Sequence, residues 1–257
     1  MLKHRYIKWL LGTACLLLLA LSFYNSVFVL YLLLTIFLWL AVTTWGSFDI
    51  RSGYYVKTTI SHKRTKQHVV ALTFDDGPTE HTEKVLDLLN TFGQKATFFC
   101  IGIQAEKNPE LLKRIVSEGH LIGNHTYTHS SSIGFRTADW VSEEIQKTQK
   151  TLSAYTGKTP AFFRPPFGVT NPNIAKACEE NSMEVIGWNI RSLDTVLKNE
   201  KTILKRIVPR LQKGSIVLLH DTSSRTTRVL EQLLLIMKQR QIQSVTVDEL
   251  IQIKGYK

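Results

Sequence analysis

Residues Val69–Pro78 read VVALTFDDGP, an apolar run that ends in two adjacent carboxylates and then in Gly-Pro. An apolar run of this length before a turn signal is typical of a buried strand in a parallel sheet. Adjacent carboxylates repel each other, and burying them costs free energy unless a positive group shares their field. A metal ion is the simplest compensating charge, so this stretch predicts that other metal ligands lie elsewhere in the chain. The alternative is that Asp75-Asp76-Gly-Pro is only a turn signal.

Strand-like and helix-like segments alternate along the chain after this stretch, with short connections. The apolar segments predict seven strands, and the amphipathic stretches between them predict helices, such as Glu83–Phe92 and Thr137–Tyr155. Repeated βα units favour a parallel sheet. The predicted fold class is therefore α/β, a deformed (β/α)7-type barrel preceded by an N-terminal transmembrane helical segment. In such a barrel, the residues that follow each strand meet at the rim formed by the strands' carboxyl ends.

Five of the predicted strands are followed by side chains capable of chemistry, and the barrel places all of them at one rim. They are Asp75 and Asp76 after the first strand, His125 and His129 after the third, Arg164 and Phe167 after the fourth, Trp188, Arg191 and Asp194 after the fifth, and His220 and Asp221 after the sixth.

His125 and His129 lie in the stretch NHTYTH and are four residues apart, so on a helical turn they face the same way. With one added carboxylate they would form a metal site that keeps positions open for water and substrate. The alternative is two surface histidines in a polar loop. Because Asp75 and Asp76 cannot both point equally well at one ion, one is expected to bind it. The other is expected to accept a proton from a water that the cation has acidified.

His220 is an isolated histidine at the end of a strongly apolar strand, IVLLH. A histidine in such a place is most simply a core residue whose hydrogen bonds are satisfied. Its position at the same rim as the predicted metal ligands favours a general acid that protonates a leaving amine.

The motifs TFDDGP, HTYTH, RPPFG, WNIRSLD and LLH stand in the order and spacing of the polysaccharide deacetylase family, also called the NodB homology domain or carbohydrate esterase family 4. The resemblance covers about residues 69–250. It implies a deformed (β/α) barrel, a divalent metal ion that is usually zinc, and hydrolysis of N-acetyl or O-acetyl groups on sugars. By motif, Asp75 resembles the catalytic base, and Asp76 resembles the metal ligand that acts beside His125 and His129.

The remaining motifs imply further roles. Arg164 resembles the residue that pairs with and orients the base, the backbone N–H of Phe167 resembles an oxyanion donor, and His220 resembles the general acid. The residues expected to line the substrate pocket are Pro165, Pro166, Trp188, Arg191 and Asp194.

The chain departs from the family pattern in the fourth motif, which commonly reads Asp-x-x-Asp-Trp. Aligned on Trp188, this chain has Arg-Ser-Leu-Asp-Thr at residues 191–195. An arginine thus replaces the carboxylate that usually tunes the acid histidine, and a threonine replaces an aromatic wall residue. Either Asp194 or Asp221 is left to supply the missing charge.

The N-terminal part of the chain is strongly apolar, because Trp9–Trp45 is a run of 37 residues without Asp, Glu, Lys, Arg or His. This run is too long for one span of about 20 residues, so it predicts two, roughly Trp9–Phe23 and Val27–Thr44. The predicted organisation is a membrane anchor at 1–45, a basic juxtamembrane linker at 46–68 and the catalytic domain at 69–257. A cleaved signal peptide is the alternative, since basic residues precede the first apolar segment.

The formal net charge of +11 indicates either a basic solvated surface or attraction to anionic lipid or wall polymer. Nucleic acid is not an expected partner, because no aromatic-basic module is present. Three cysteines do not form a disulfide framework. The expected partners are an acetylated amino-sugar glycan and the lipid bilayer, and no obligate protein partner is inferred.

Together these features predict a membrane-anchored hydrolase that uses one divalent ion, expected to be Zn²⁺, to deacetylate a cell-envelope polysaccharide such as peptidoglycan. One alternative is a deacetylase or deformylase of a lipid-linked sugar, which the short linker favours. Another is an inactive glycan-binding protein of the same fold, which only the altered fourth motif supports. Basic residues precede the first predicted span and follow the second, and their charge would place both flanking segments in the cytoplasm. The resemblance instead favours an extracytoplasmic catalytic domain.

Overall fold

The computed structural model describes residues 3–257. Two N-terminal helices, α1 (His4–Ser22) and α2 (Val27–Phe48), pack against each other and leave most of their large apolar side chains exposed. Both are long and apolar enough to cross a membrane, although a signal sequence near an N-terminus has the same character.

The α/β domain that follows is built mainly of parallel strands alternating with helices. Its elements are β1 (Thr58–Thr59), β2 (Val69–Asp75), α3 (Thr82–Thr91), β3 (Ala96–Cys100), α4 (Gly102–Lys107), α5 (Pro109–Ser117), β4 (Leu121–Asn124), α6 (Ala138–Thr156), β5 (Phe162–Phe163), α7 (Pro172–Glu180), β6 (Glu184–Ile186), β7 (Ile190–Arg191), α8 (Glu200–Ile207), β8 (Ile216–His220), α9 (Ser224–Gln239), β9 (Gln243–Ser244) and α10 (Val247–Ile251).

The strands form one curved parallel sheet in the order β1-β6-β5-β4-β3-β2-β8-β7, with β9 pairing separately with β2. Within residues 3–257 no strand pairing joins the end strands β1 and β7, so the barrel is open on one side. The predicted deformed (β/α) barrel is thus confirmed in this open form. The end strand β1 comes from residues 46–68, predicted as a linker, so that segment also contributes to the sheet.

The strand β2 is central, and all seven of its residues are buried. Because side chains alternate across a strand, Val70, Leu72 and Phe74 pack with the helices on one face. Thr73 and Asp75 share the opposite face and both contact the same arginine inside the barrel. The alternation therefore places Asp75 at the inner edge of the rim.

The end of α2 is joined to the α/β domain by direct contacts. The N–H of Thr170 donates to the carbonyl of Ser47 at 2.9 Å, and its hydroxyl donates to the carbonyl of Gly46 at 3.2 Å. Tyr54 is buried against Gly46, and its carbonyl accepts a hydrogen bond from the N–H of His4 at the start of α1. Both outer ends of the helical hairpin therefore lie against the same domain.

Candidate active site

The rim brings Asp76 close to His125 and His129, although about 50 residues of chain separate it from the two histidines. Oδ1 of Asp76 lies 3.3 Å from Nε2 of His125 and 3.3 Å from Nε2 of His129. Zinc bonds of ~2.1 Å at tetrahedral angles put neighbouring ligand atoms about 3.4 Å apart, so the cluster has the dimensions of a metal site. No other group of this kind is found among residues 3–257.

The hydrogen bonds around His125 fit an ion at this cluster. Its Nδ1 lies 2.6 Å from the carbonyl oxygen of Arg164, which can only accept, so Nδ1 carries the proton. In a neutral imidazole Nε2 then offers a lone pair toward Asp76. Oδ1 of Asp76 is buried and accepts no well-formed hydrogen bond within residues 3–257. Lone pairs that face each other at this distance repel unless a cation lies between them.

The loop that carries the two histidines is held in shape by buried side chains. The carboxylate of Glu144, on α6, accepts hydrogen bonds from the N–H groups of Tyr127 and Thr128 and from the Thr128 hydroxyl, at 2.8–3.1 Å. The hydroxyl of Thr126 accepts from the N–H of His129 at 3.1 Å. His129 has a left-handed φ of 53°, which these contacts maintain.

Burial raises the pKa of Asp76. When the neighbouring histidines are protonated, a hydrogen bond from His125 and the charges of His125, His129 and His220 outweigh burial and lower this pKa to about 2. The carboxylate is therefore ionised across the physiological range, as a metal ligand must be.

Asp75 lies beside this cluster and turns one of its two carboxylate oxygens toward Arg164. Nη1 of Arg164 donates to Oδ1 of Asp75 at 2.7 Å and to the Thr73 hydroxyl at 2.8 Å. The arginine is fully buried, and its other nitrogens donate to the carbonyls of Ile186 and Gly187. One oxygen of Asp75 is thus committed to the arginine, while Oδ2 remains toward the cluster, 3.8 Å from His125 Nε2.

His220 lies on the same cavity and is held from behind by Asp194. Its Nδ1 is 2.8 Å from Oδ1 of Asp194, and its backbone N–H donates to Oδ2 at 2.9 Å. Burial lowers the pKa of His220, but the hydrogen bond and charge of Asp194 outweigh it and raise the pKa to about 9. The imidazole is therefore protonated at neutral pH, as a general acid requires.

Asp194 is fully buried, and it also accepts hydrogen bonds from the hydroxyls of Ser192 and Thr226. Both of its carboxylate oxygens therefore have hydrogen-bond donors. Of the two carboxylates that the sequence left open as the partner of His220, the structure places Asp194 against the imidazole. Asp221 instead packs beneath Gly77 and accepts a hydrogen bond from the Thr82 hydroxyl.

A cavity of about 280 Å³ connects these groups. Its lining includes the predicted residues Trp188 and Arg191, whereas Pro165 and Pro166 lie outside the lining and Asp194 lies behind His220. Thr195, at the position of the expected aromatic wall residue, also lines it, and the lining residues that the sequence did not single out are Gly168, Leu193 and Leu218. Gly168 has a positive φ and nearly touches Trp188, a close approach that only the folded chain reveals.

Phe167 adopts a left-handed φ of 61° at the edge of this cavity, and its ring is half exposed. The ring centroid lies 4.8 Å from that of His129. The turn therefore places the Phe167 ring beside the metal-ligand cluster.

The chain is similar to known proteins in both sequence and fold. A family model for polysaccharide deacetylases matches residues 62–186. A Bacillus cereus peptidoglycan-N-acetylglucosamine deacetylase is 34% identical over 194 residues, which cover 73% of this chain and 90% of that protein. The chain belongs to the polysaccharide deacetylase family.

Other relatives are longer. The Listeria monocytogenes peptidoglycan-N-acetylglucosamine deacetylase PgdA is 37% identical over 182 residues, which cover 70% of this chain but only 38% of that protein. The crystal structure of a peptidoglycan N-acetylglucosamine deacetylase superimposes with a TM-score of 0.72 at 33% identity, covering 77% of this chain and 94% of the other.

Proposed function

We propose that this protein is a metal-dependent deacetylase that removes N-acetyl or O-acetyl groups from an amino-sugar glycan of the cell envelope, such as peptidoglycan. The observation that carries the proposal is the grouping of Asp75, the Asp76–His125–His129 cluster and His220 around one cavity. Relatives named as peptidoglycan deacetylases support the substrate class.

Asp76, His125 and His129 would hold one divalent ion. Two imidazole nitrogens and one carboxylate oxygen form a donor set that zinc accepts while keeping a position open, so zinc is the proposed ion. When bound, such an ion supplies a Lewis acid that polarises the acetyl carbonyl and lowers the pKa of water.

Asp75 and His220 divide the proton transfers. Asp75 takes a proton from a water molecule as the water oxygen adds to the acetyl carbonyl carbon. Arg164 fixes the carboxylate of Asp75 through the 2.7 Å hydrogen bond, so that Oδ2 is the oxygen left to act. His220 then donates its Nε2 proton to the amine nitrogen as the carbon–nitrogen bond breaks, and acetate leaves.

Three further residues have proposed supporting roles. Asp194 orients His220 and stabilises its imidazolium through the 2.8 Å hydrogen bond. The backbone N–H of Phe167 is proposed to stabilise the oxyanion that forms on the acetyl group. Trp188 and Arg191 are proposed to contact the sugar, since both line the cavity.

The two N-terminal helices are proposed to be a retained membrane anchor, with the catalytic domain on the extracytoplasmic side. Their exposed apolar surface supports the anchor, and the peptidoglycan deacetylase activity for which the relatives are named supports the side.

An inactive glycan-binding protein is the alternative of a different class. Against it, the base, the acid and the three metal ligands all line one cavity, and Asp194, within the altered fourth motif, gives His220 an anionic partner.

The test is acetate release from N-acetylglucosamine oligomers by the purified full-length protein and by Asp75→Asn. The substitution keeps the shape of the side chain but removes the base, so acetate release should fall by roughly 100-fold or more. The matched control is Asp139→Asn, an exposed position on α6. Equal release by the wild type and Asp75→Asn, or binding of the oligomers without any release, would refute the proposal.

A further inference from the structure

A second cavity of about 350 Å³ adjoins the candidate active site. The two cavities share Trp188, Arg191 and Leu193 in their linings, so they are neighbours across one wall of side chains. The other side of the second cavity is formed by Trp45 and Phe48, at the end of α2. A ligand could therefore reach from the end of the apolar helix to the deacetylation site.

The second cavity is strongly cationic, because four arginines and one carboxylate line it. Arg51 is paired with that carboxylate, Asp49, at 2.7 Å. Within residues 3–257, Arg191, Arg206 and Arg210 have no carboxylate within 4.0 Å, so three arginines line the cavity without a protein counter-charge.

Arg206 gives the second sign that a ligand belongs here. Its Nε is buried and has no hydrogen-bond partner in the part of the chain that the structure describes. A buried donor on a charged group is costly to leave unpaired, so such donors are normally matched by an acceptor. Because this Nε is closed to solvent where the side chain now stands, an anionic oxygen would bond to it only after the Arg206 side chain turned into the cavity that it lines. Phosphate is the group that arginine forks match best.

The position of the cavity indicates what carries the phosphate. Trp45 and Phe48 are exposed aromatic residues at the end of an apolar helix, the place where aromatic side chains meet a membrane surface. The hydrogen bonds from Thr170 to Ser47 and Gly46 hold that helix end against the rim. A phosphate in this cavity would therefore lie at the bilayer surface, and the acetyl group to be hydrolysed would lie in the adjoining cavity.

We propose that this arginine-lined cavity binds the phosphate or diphosphate that joins an acetylated amino sugar to a membrane lipid. The substrate would then be an amino-sugar glycan that is still joined to its membrane lipid. This inference rests on the proposed deacetylase activity, whose substrate it specifies. A phospholipid headgroup shares the same chemistry. The lipid-linked sugar is favoured because the cavity adjoins the acid, the base and the metal-ligand cluster.

The test compares two substrates with the full-length, metal-loaded protein in nanodiscs of zwitterionic lipid. In one, N-acetylglucosamine is joined to a short prenyl chain through a diphosphate, and in the other through an uncharged ether. The proposed contacts are removed in a single variant, Arg206→Gln, and in a double variant, Arg206→Gln/Arg210→Gln. Lys205→Gln removes a charge from the same helix, α8, outside the cavity lining.

The double variant should lose roughly 10-fold or more in kcat/KM on the diphosphate substrate and change less than about two-fold on the ether. Lys205→Gln should change neither substrate by more than about two-fold, and Arg206→Lys should recover part of the loss. Equal losses on both substrates would show a structural role and overturn the proposal, as would no loss on the diphosphate.

Two further measurements separate the remaining explanations. If neither substrate releases acetate, the proposed function fails, and the dissociation constant of the diphosphate sugar then decides the inference alone. Weaker binding by the double variant supports the cavity, and unchanged binding overturns it.

If an anionic phospholipid added to the nanodiscs raises the KM of the wild type by the same factor as the double substitution, the cavity is a headgroup site and the inference is wrong.

Discussion

At the residue scale, the pairing of His220 with Asp194 decides how the site works in a chain that lacks the usual carboxylate of the fourth motif. Asp194 lies only three residues beyond Arg191, yet it is fully buried and reaches both Nδ1 and the backbone N–H of His220. Arg191, which stands where the family resemblance implies a carboxylate, is exposed and turns toward Trp188 and the second cavity. Asp194 therefore gives His220 the anionic partner that the proposed acid role requires.

Asp194→Asn should narrow the pH range of activity from the alkaline side. His220 must be protonated to act as an acid, and its raised pKa of about 9 keeps it so well above neutrality. Without the Asp194 carboxylate, burial lowers the pKa of His220 and only the smaller influence of the Asp75 and Asp76 charges opposes it, so the pKa falls from about 9. The alkaline limb of kcat/KM should therefore move to lower pH by about two units, while the acidic limb stays.

The measurement is kcat/KM from pH 5 to 10 for wild type, Asp194→Asn and the exposed control Asp139→Asn. An alkaline limb at the same pH in all three proteins would show that Asp194 does not set the pKa of the acid. A proportional fall at every pH would indicate a loss of structure instead.

At the element scale, the contact between α2 and the rim is the feature least expected from the sequence. Gly46 is the point of closest approach, because a Cβ added there would lie 2.3 Å from the ring of Tyr54. Tyr54 in turn is buried and contacts the start of α1. The helical hairpin and the catalytic domain are thus joined by packing as well as by the chain.

Gly46→Leu should separate α2 from the domain or strain the contact, at a cost of about 1–3 kcal/mol in the free energy of unfolding. The measurement is the thermal midpoint of the full-length protein in detergent, together with the rate of proteolysis near Tyr54. The matched control is Gly12→Ala in α1, where an added Cβ meets its nearest neighbour at an ordinary 3.8 Å. If both variants kept the midpoint and protease resistance of the wild type, the packed junction would be contradicted.

Several elements could be predicted from the sequence because their signals are local. The apolar run of β2 and the carboxylates that end it locate the rim, and the spacing of His125 and His129 indicates a shared direction. The strand β1 could not be predicted, since a polar strand of two residues has no periodicity. Glu144 could not be assigned to the histidine loop, because a carboxylate on an amphipathic helix gives no sign of which distant N–H groups it will bind.

The choice between Asp194 and Asp221 also exceeds what the sequence can decide. Both residues follow strands at the same rim, and Asp221 is even adjacent to His220 in the chain. Adjacent residues at a strand end point to opposite faces, so Asp221 is turned away from the His220 side chain. Asp194, in the loop after the neighbouring strand β7, is turned toward it.

At the scale of the whole molecule, both outer ends of the hairpin lie against the catalytic domain, so the domain faces one side of any membrane that the helices cross. Cys100 and Cys178 are buried and Cys15 lies within α1, which makes a single exposed cysteine informative. Lys66 is exposed, whereas Ser61 is half buried and bridges to Ser215. Lys66 is therefore the better position for a topology probe.

Lys66→Cys in a Cys15→Ser background should react with a membrane-impermeant thiol reagent on intact cells, because the proposal places the domain outside the cytoplasm. The control is the Cys15→Ser protein alone, which should stay unlabelled. Labelling only after lysis would place the catalytic domain in the cytoplasm.

The central claim is that one divalent ion at Asp76, His125 and His129 is required for deacetylation. It is tested most directly by measuring acetate release from an N-acetylated amino sugar while the chelator-treated full-length protein is titrated with Zn²⁺, beside His125→Ala and the exposed control His68→Ala. Release should be lost on chelation and return in proportion to the ion until about one equivalent is bound, for the wild type and His68→Ala alike. His125→Ala should bind the ion roughly 10-fold or more weakly and release almost no acetate. Full release by metal-free protein, or one tightly bound equivalent in His125→Ala, would contradict the account.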